Sequence, residues 1–238
     1  MKKKILILTG ILFISIVTLT GCGKKDENIN NDSNLLQSNS EVNQETSSKA
    51  TNESDFEFDE VKQEITKYKG KDTNVVVPDK INEIDVKSIG DEAFYNKNLN
   101  IDSIIFPDTI ESIGHSAFAG NNITEVEFPK NIKKISSYAF KENKITSLEF
   151  PEGLEYIGMD SFAMNPLEEV KISSTVKYYG TTAFKYYKDK TTLKKLYIVG
   201  RENLDGIDAQ YDWNYVGDEK NSKGNTTKVK ITPVFVQQ

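Results

Sequence analysis

The chain offers few of the side chains that commonly carry out catalysis, because histidine and cysteine each occur once, as His115 and Cys22. A Ser-His-acid triad would have to use His115, and a structural zinc site needs about four ligands. His115 occupies a position at which later repeats of the chain carry Ser137, Met159 and Thr181. We therefore interpret His115 as a variable surface residue. The sequence therefore predicts no catalytic residue, no metal ligand and no cofactor, and it favours binding over catalysis.

Cys22 lies at the end of a typical export signal. Lys2 to Lys4 form a positive start, and Ile5 to Leu19 form an apolar run. Leu19-Thr20-Gly21-Cys22 resembles the lipobox of bacterial lipoproteins, which implies cleavage before Cys22 and a diacylglycerol, with palmitate, on its sulfur. We expect residues 1–21 to be a lipoprotein signal peptide and Cys22 to anchor the protein on the extracytoplasmic side of the cell membrane. The alternative is an uncleaved membrane anchor with a free thiol.

The segment 22–55 is rich in Asn, Ser, Glu, Lys and Gln and has almost no aromatic residues. Such a segment cannot bury enough apolar surface to offset the entropy lost on ordering. We interpret it as a disordered tether with a root-mean-square reach of about 30 Å. The tether would hold a folded module clear of the bilayer.

A 22-residue repeat organises residues 99–188 into four copies. Phe118, Phe140, Phe162 and Phe184 recur at this interval, as do other columns. These columns are Pro107, Pro129 and Pro151; Ile104, Val126, Leu148 and Val170; Phe106, Phe128, Phe150 and Ile172; Ile113, Ile135, Ile157 and Tyr179; and Asn121, Asn143 and Asn165.

Each copy contains the signals of one strand and two bends. Alternation as in Val126-Glu127-Phe128 predicts a strand with one buried face, which the following Pro ends. The column Gly114, Gly158 and Gly180 predicts a tight bend, for which a positive φ is one explanation. Residues 137–140 are predicted to form a short helical turn that points Phe140 inward. The Asn column is expected to hydrogen-bond the turning backbone.

One copy could not fold by itself. Burying about six apolar side chains gives roughly 10–18 kcal/mol, whereas ordering the copy costs about 33 kcal/mol. The copies must therefore stack into a solenoid, with a parallel β-sheet on one face and short helical or 3-10 turns on the other. We expect an N-terminal cap with a first divergent repeat at 56–98, and a partial repeat with a C-terminal cap at 189–238.

The segment Ile113-Gly114-His115-Ser116-Ala117-Phe118 resembles the BspA-like bacterial leucine-rich-repeat family of surface proteins, and the likeness covers roughly residues 60–198. The resemblance implies a leucine-rich-repeat solenoid of the α/β class, rich in β-structure. It also implies adhesion to host or matrix proteins without naming a ligand. One feature departs from the family: many members carry Cys at Asn121, Asn143 and Asn165, in a copy one residue longer.

The exposed strand positions are the first candidate site. Stacking places Ser103, Glu125, Ser147 and Glu169 in one column, and Ile105, Glu127, Glu149, Lys171 and Tyr197 in the next. Glu127 is then expected to face Glu149, an unfavourable pair of like charges. Our hypothesis is that this acidic face binds a basic partner or weakly holds Ca²⁺. The alternative is a solvated polar face.

The second candidate site is aromatic. Tyrosines and the single Trp gather late in the chain, at Tyr156, Tyr178, Tyr179, Tyr186, Tyr187, Tyr197, Tyr211, Trp213 and Tyr215. Tyr156 and Tyr178 share an outward column, and exposed aromatic side chains are common at interfaces. Packing of the C-terminal cap is the alternative explanation.

These features together predict a surface lipoprotein that recognises a protein or a glycan. The net charge of -6 argues against nucleic acid as a partner. A purely structural envelope protein is the main alternative, and a hydrolase is a distant one. The abundance of Lys, Asn and Ile suggests an AT-rich genome, and we expect a Gram-positive bacterium.

Overall fold

The computed structural model describes residues 51–95, 98–186, 192–203, 205, 208–209, 215–220 and 226–237. The predicted signal peptide, Cys22 and nearly all of the predicted tether lie outside these residues, as do Tyr187, Tyr211 and Trp213. Within the described part of the chain, no helix is both long and apolar enough to span a bilayer.

Short strands make up most of the regular structure, and the one helix in the described ranges is a 3-10 turn, Glu53–Asp55. The strands are β1 (Phe56–Asp59), β2 (Glu64–Tyr68), β3 (Asn74–Val76), β4 (Lys80–Ile81), β5 (Ile84–Asp85), β6 (Ser88–Ile89), β7 (Ser103–Ile105), β8 (Ser112–Ile113), β9 (Lys134–Ile135), β10 (Ser147–Glu149), β11 (Tyr156–Ile157), β12 (Glu169–Ile172), β13 (Tyr178–Tyr179), β14 (Lys195–Val199), β15 (Asp208–Ala209), β16 (Tyr215–Lys220), β17 (Thr226–Lys230) and β18 (Val234–Val236).

The longest sheet has eight strands in the order β1-β2-β6-β8-β9-β11-β13-β15. Only β1 and β2 pair antiparallel, at the end where the N-terminal cap was predicted, and all later neighbours are parallel. Every second residue of this sheet points inward, so Ile113, Ile135 and Ile157 are fully buried above one another. Stacking of the copies through parallel strands, as the repeat predicted, is confirmed.

A second set of parallel strands forms another side of the coil. Four of them pair in the order β10-β12-β14-β18, and β3 pairs with β7 as a separate two-stranded unit. The remaining strands form two antiparallel hairpins, β4–β5 and β16–β17. We call the outward surface of β7, β10, β12 and β14, with the intervening residues 124–128, the strand face.

The repeated phenylalanines stack along one line inside the solenoid. The ring of Phe118 lies 4.7 Å from that of Phe94 and 5.1 Å from that of Phe140. The line continues to Phe162 at 5.3 Å and to Phe184 at 6.1 Å. All five rings are at most 2% exposed. This line is the core that the 22-residue period predicts.

The segments before each phenylalanine are hydrogen-bonded turns, which differ from the short helical turns that we predicted. In the second copy, the N–H groups of Tyr138 and Phe140 donate to the carbonyl groups of Met159 and Ser161 in the next copy, at 2.9 and 2.7 Å. Because these groups bond between copies, they cannot form the bonds of a helix within one copy. Tyr138 has a φ of 61°, a left-handed conformation that a helix does not contain.

The glycine column has a different cause from the positive φ that we considered. Gly114, Gly158 and Gly180 do not have a positive φ. A Cβ atom on Gly158 would lie 2.4 Å from the backbone nitrogen of Ser137, and one on Gly180 would lie 2.2 Å from that of Met159. At Gly158 and Gly180 the adjacent copy approaches too closely for a Cβ atom, whereas Ser136 shows that the second copy accepts one at the same position.

The asparagine column bonds to the backbone as predicted. Asn143 is 5% exposed, and its Nδ2 donates to the carbonyl oxygens of Phe118 (2.8 Å) and Phe140 (3.1 Å). Its Oδ1 accepts the N–H of Ile123 at 3.1 Å. Asn121 and Asn165 make the equivalent bonds one copy earlier and one copy later. Each buried amide therefore ties two adjacent copies together.

Candidate ligand-binding groove

The strand face has the column register that the sequence predicted between β10, β12 and β14. Glu149 lies opposite Lys171, which lies opposite Tyr197. Ser147 lies opposite Glu169 in the neighbouring column. The buried residues between these columns, such as Leu148 and Val170, fix the outward direction of the polar side chains.

Ion pairs between copies neutralise part of this face. Lys171 Nζ donates to Glu149 Oε2 at 2.9 Å, and Lys195 Nζ donates to Glu169 Oε2 at 3.4 Å. The hydrogen bond to Glu149, and then its negative charge, raise the pKa of the Lys171 ammonium. The hydrogen bond to Glu169 likewise raises the pKa of Lys195. The face between these strands is therefore of mixed charge, and less acidic than expected.

Lys195 was absent from the sequence-based candidates. An insertion of four residues precedes β14, so Lys195 follows Glu169 by 26 residues instead of 22. The predicted column that places Tyr197 opposite Lys171 uses this same offset of 26 residues. Applied to Glu169 in the neighbouring column, the offset gives Lys195.

The strand predicted around Val126 does not form. Among the residues that the structure describes, Thr124, Glu125, Val126 and Glu127 neither donate nor accept a hydrogen bond. The ladder therefore stops at β7 and starts again at β10. Pairing here would also bring Glu127 against Glu149 at about 4.8 Å between strands, an unfavourable pair of like charges.

A groove lies where the ladder is interrupted. Its volume is about 1040 Å³, and its lining includes Ile105, Glu125, Glu127, Lys130, Glu149 and Lys171. Glu125 and Glu127 are exposed and make no ion pair within the described ranges, and Ile105 is 50% exposed. The groove thus brings together four of the predicted charged residues, and two of them are carboxylates without a cation.

Glu169 lies in a neighbouring depression of about 530 Å³, with Glu168, Lys194 and Lys195. Lys194 pairs with Glu168 at 2.9 Å, and Lys195 pairs with Glu169 at 3.4 Å. Each carboxylate in this depression already has its ammonium partner. A charged ligand would have to displace an ion pair here, which it need not do at Glu125 and Glu127.

The aromatic candidates do not form one patch. Tyr156 and Tyr178 belong to the eight-stranded sheet, whereas Tyr197 lies on the strand face. The rings of Tyr156 and Tyr178 stack at 4.3 Å with an angle of 1° between their planes, and Lys134 Nζ lies 5.4 Å from the centroid of Tyr156. Their facing surfaces cover each other, so the pair offers little free ring face for stacking a ligand. Burial, followed by the neighbouring Tyr156, raises the pKa of Tyr178.

The lining of the groove consists of carboxylates, lysines, small polar residues and apolar side chains. The described residues contain no group of three His, Cys, Asp or Glu side chains arranged to hold a metal ion. His115 is exposed, and its ring packs edge-on against Tyr138 at 5.3 Å between centroids. It does not line the groove. The groove offers carboxylates, main-chain groups and an apolar side chain to a ligand.

A family model described as the BspA type leucine rich repeat region matches residues 87–203 in six copies. Four regular copies at residues 99–188, with one irregular copy on each side of them, give the same number. A search of curated proteins gave no match.

Three solved structures illustrate the likeness. A T. pallidum leucine rich repeat protein is 23% identical, with a TM-score of 0.56 over 79% of this chain and 85% of that protein. The pneumococcal vaccine antigen PcpA is 18% identical, with a TM-score of 0.48 over 64% of this chain and 45% of that one. A leucine rich cell surface protein from Faecalibacterium prausnitzii is 20% identical, with a TM-score of 0.39 over 72% and 57%. The T. pallidum protein shares the fold described above.

Proposed function

This chain carries a BspA-type leucine-rich repeat region over residues 87–203, and from that premise we propose that it is a lipid-anchored recognition protein. Cys22 holds it at the extracytoplasmic face of the cell membrane. The groove on the strand face binds a protein or glycan ligand without chemical turnover.

The observation that carries the proposal is the groove itself. About 1040 Å³ of open volume lies over a face on which Glu125 and Glu127 have no ion-pair partner and Ile105 is half exposed. Charged and apolar groups that the fold leaves without partners are available to a ligand. The neighbouring copies, in contrast, pair their charges with each other.

The framework around the groove is suited to recognition because it is well packed. Phe128 and Phe150 lie beneath the groove and are 6% and 4% exposed, with their rings 5.2 Å apart. Asn143 ties the copy that contains residues 124–128 to the preceding copy. A surface held in this way loses little conformational entropy when a ligand binds.

The anchoring part of the proposal rests on the sequence. The positive start, the apolar run and Leu19-Thr20-Gly21-Cys22 together have the pattern of a lipoprotein signal. A polar tether after Cys22 would let the repeat region stand away from the bilayer.

Binding of the purified full-length chain, in mild detergent, to arrays of immobilised host matrix proteins and of glycans tests the proposal. The test variant is Glu125→Lys with Glu127→Lys, which reverses both free charges of the groove. The matched control is Glu92→Lys with Glu142→Lys, because these two exposed glutamates lie in the turns beside the phenylalanine column. We expect the wild type and the control to bind a ligand that the groove variant loses. Equal binding by both variants would contradict the groove as the binding surface. No binding by any chain would contradict recognition and favour a purely structural envelope protein.

A further inference from the structure

Two tyrosines on the eight-stranded side of the coil are stacked directly on each other. Tyr156 on β11 and Tyr178 on β13 are register partners, and their ring centroids lie 4.3 Å apart with 1° between the ring planes. Because the rings are parallel and come from equivalent positions of adjacent copies, each ring carbon of one tyrosine lies close to the same carbon of the other. This is the geometry in which two phenol rings can react with each other.

The strands hold this pair in register from both sides. Before the pair, the N–H groups of Lys177 and Tyr178 donate to the carbonyl oxygen of Glu155 at 2.9 and 3.1 Å. After the pair, the N–H of Gly180 donates to the carbonyl oxygen of Ile157 at 2.7 Å. An ion pair between Lys177 Nζ and Glu155 Oε1 at 3.1 Å joins the same two strands. These contacts keep the two tyrosines at the strand spacing of about 4.8 Å.

The pair is open to solvent, whereas the residue after it is not. Tyr156 and Tyr178 are partly exposed on the outward surface of the sheet, but Tyr179 points inward and is fully buried. Burial, and then the neighbouring Tyr156, raise the pKa of the Tyr178 hydroxyl, so the two phenols also affect each other's ionisation. An oxidant in solution therefore reaches the stacked pair and does not reach Tyr179.

Two other tyrosines that are also partly exposed have different neighbours. On the strand face, Tyr197 lies between its register partners Lys171 and Val234. In the turns, the ring of Tyr138 packs edge-on against His115. Neither of them has a second phenol ring as its register partner, so exposure alone does not give a tyrosine the arrangement of the stacked pair.

Phenol rings held in this way couple when each loses one electron and one proton. The two phenoxyl radicals join through the ring carbons next to their oxygens, and a carbon–carbon bond forms. The hydrogens on those two carbons then move as protons to the phenoxyl oxygens, which restores both hydroxyl groups and both aromatic rings. Overall, two hydrogen atoms leave the pair and reduce one molecule of hydrogen peroxide to two of water. A haem peroxidase supplied with hydrogen peroxide carries out this kind of one-electron oxidation.

We propose that Tyr156 and Tyr178 form an oxidative modification site, at which a peroxidase with hydrogen peroxide joins the two rings as dityrosine. The new bond ties the third and fourth regular copies covalently, as Asn143 ties two earlier copies through hydrogen bonds. This site lies on a different sheet from the groove and is separate from the proposed recognition function.

Oxidation of the purified full-length chain, in mild detergent, by a haem peroxidase and hydrogen peroxide tests the inference. Trypsin places the two tyrosines in separate peptides, 145–171 and 178–185. Mass spectrometry should find these peptides linked with the loss of two hydrogen atoms, and fragmentation should place the bond at Tyr178 and not at Tyr179. The product should run as a single chain in denaturing gel electrophoresis. Its yield per chain should be unchanged by an about ten-fold dilution, because the reacting rings are already positioned within one molecule.

Tyr156→Phe and Tyr178→Phe should each abolish the linked peptides, because phenylalanine keeps the ring but has no hydroxyl from which to form a phenoxyl radical. Tyr95→Phe is the matched control, since Tyr95 is 40% exposed and lies in an earlier copy, and it should leave the yield unchanged. Circular dichroism of the three variants should match that of the wild type. In urea the wild type should lose the linkage, because the strands no longer hold the two rings together.

Absence of the linked peptides from the oxidised native chain would overturn the inference. A linkage formed equally well in urea, or found only between separate chains, would also overturn it, because the fold would then not position the pair. Dityrosine fluorescence as strong in Tyr156→Phe as in the Tyr95→Phe control would show that other tyrosines react instead. None of these results bears on the array experiment, which decides the recognition function separately.

Discussion

Lys171 donates a 2.9 Å hydrogen bond to Glu149, the residue that lies opposite it in the preceding copy. The same rule holds on the eight-stranded side of the coil, where Lys87 pairs with Glu111 at 3.5 Å and Lys177 pairs with Glu155 at 3.1 Å. Opposite charges thus face each other wherever the described copies pair through charged residues. The strand face is interrupted at Glu127, where pairing would oppose two glutamates.

The first prediction concerns the asparagine column. Replacing Asn143 by alanine should lower the free energy of unfolding by about 2–4 kcal/mol, because it leaves buried backbone groups of Ile123, Phe118 and Phe140 without partners. Urea denaturation followed by circular dichroism measures the change. Asn131→Ala is the control, since Asn131 is exposed and makes one bond to Asp108. A loss for Asn143→Ala as small as that of the control would contradict the structural role of the buried amide.

The second prediction concerns the glycine column. Gly158→Ala should destabilise the protein by about 1–3 kcal/mol, because its Cβ would lie 2.4 Å from the backbone nitrogen of Ser137 and the copies would have to move apart. Thermal denaturation of the two proteins gives the difference. Ser136→Ala is a matched control, because Ser136 already carries a Cβ at the same position of its own copy. An unchanged stability of Gly158→Ala would show that the copies are less closely packed than described.

The third prediction concerns alkaline pH. Burial raises the pKa of the Tyr179 hydroxyl above its ordinary value. Above about pH 10 the unfolded chain loses this proton while the folded chain keeps it, so stability must fall as pH rises. We expect the free energy of unfolding to decrease more steeply between pH 9 and about pH 11 for the wild type than for Tyr179→Phe. Parallel curves for the two proteins would mean that Tyr179 does not titrate differently on folding.

The fourth prediction concerns the lipid. Cells expressing the chain should incorporate labelled palmitate into it, and Cys22→Ser should abolish the label because serine has no thiol to acylate. Cell fractionation should find the wild type with the membrane. Labelling that persists in Cys22→Ser would contradict lipidation at Cys22.

Sequence periodicity predicted the parts of this structure that depend on spacing. A period of 22 residues is enough to stack Phe118 on Phe140 and to place Asn143 between two copies, because both follow from copies of equal length lying in register. Lys171 was likewise placed opposite Glu149, one period earlier.

Other features depend on distances between the backbones of adjacent copies, which the repeat length alone does not give. The glycine column follows from how closely the backbones approach, and the left-handed φ of Tyr138 follows from bonds to the next copy. The sequence indicated that pairing would place Glu127 against Glu149. It did not indicate whether the strands would pair despite this repulsion or leave the ladder interrupted. The sequence therefore predicted which outward residues share a column, whereas the groove between the columns is visible only in the structure.

Hydrogen–deuterium exchange at the main-chain amides of residues 124–127 tests the central claim most directly. In the free protein, these amides should exchange much faster than those of β10 and β12, because they have no hydrogen-bond partners. Saturation with a ligand found on the arrays should slow them, because the ligand covers the groove, while leaving β10 and β12 unchanged. Amides at 124–127 that are already protected in the free protein, or that stay equally fast with that ligand bound, would contradict the groove as the recognition surface.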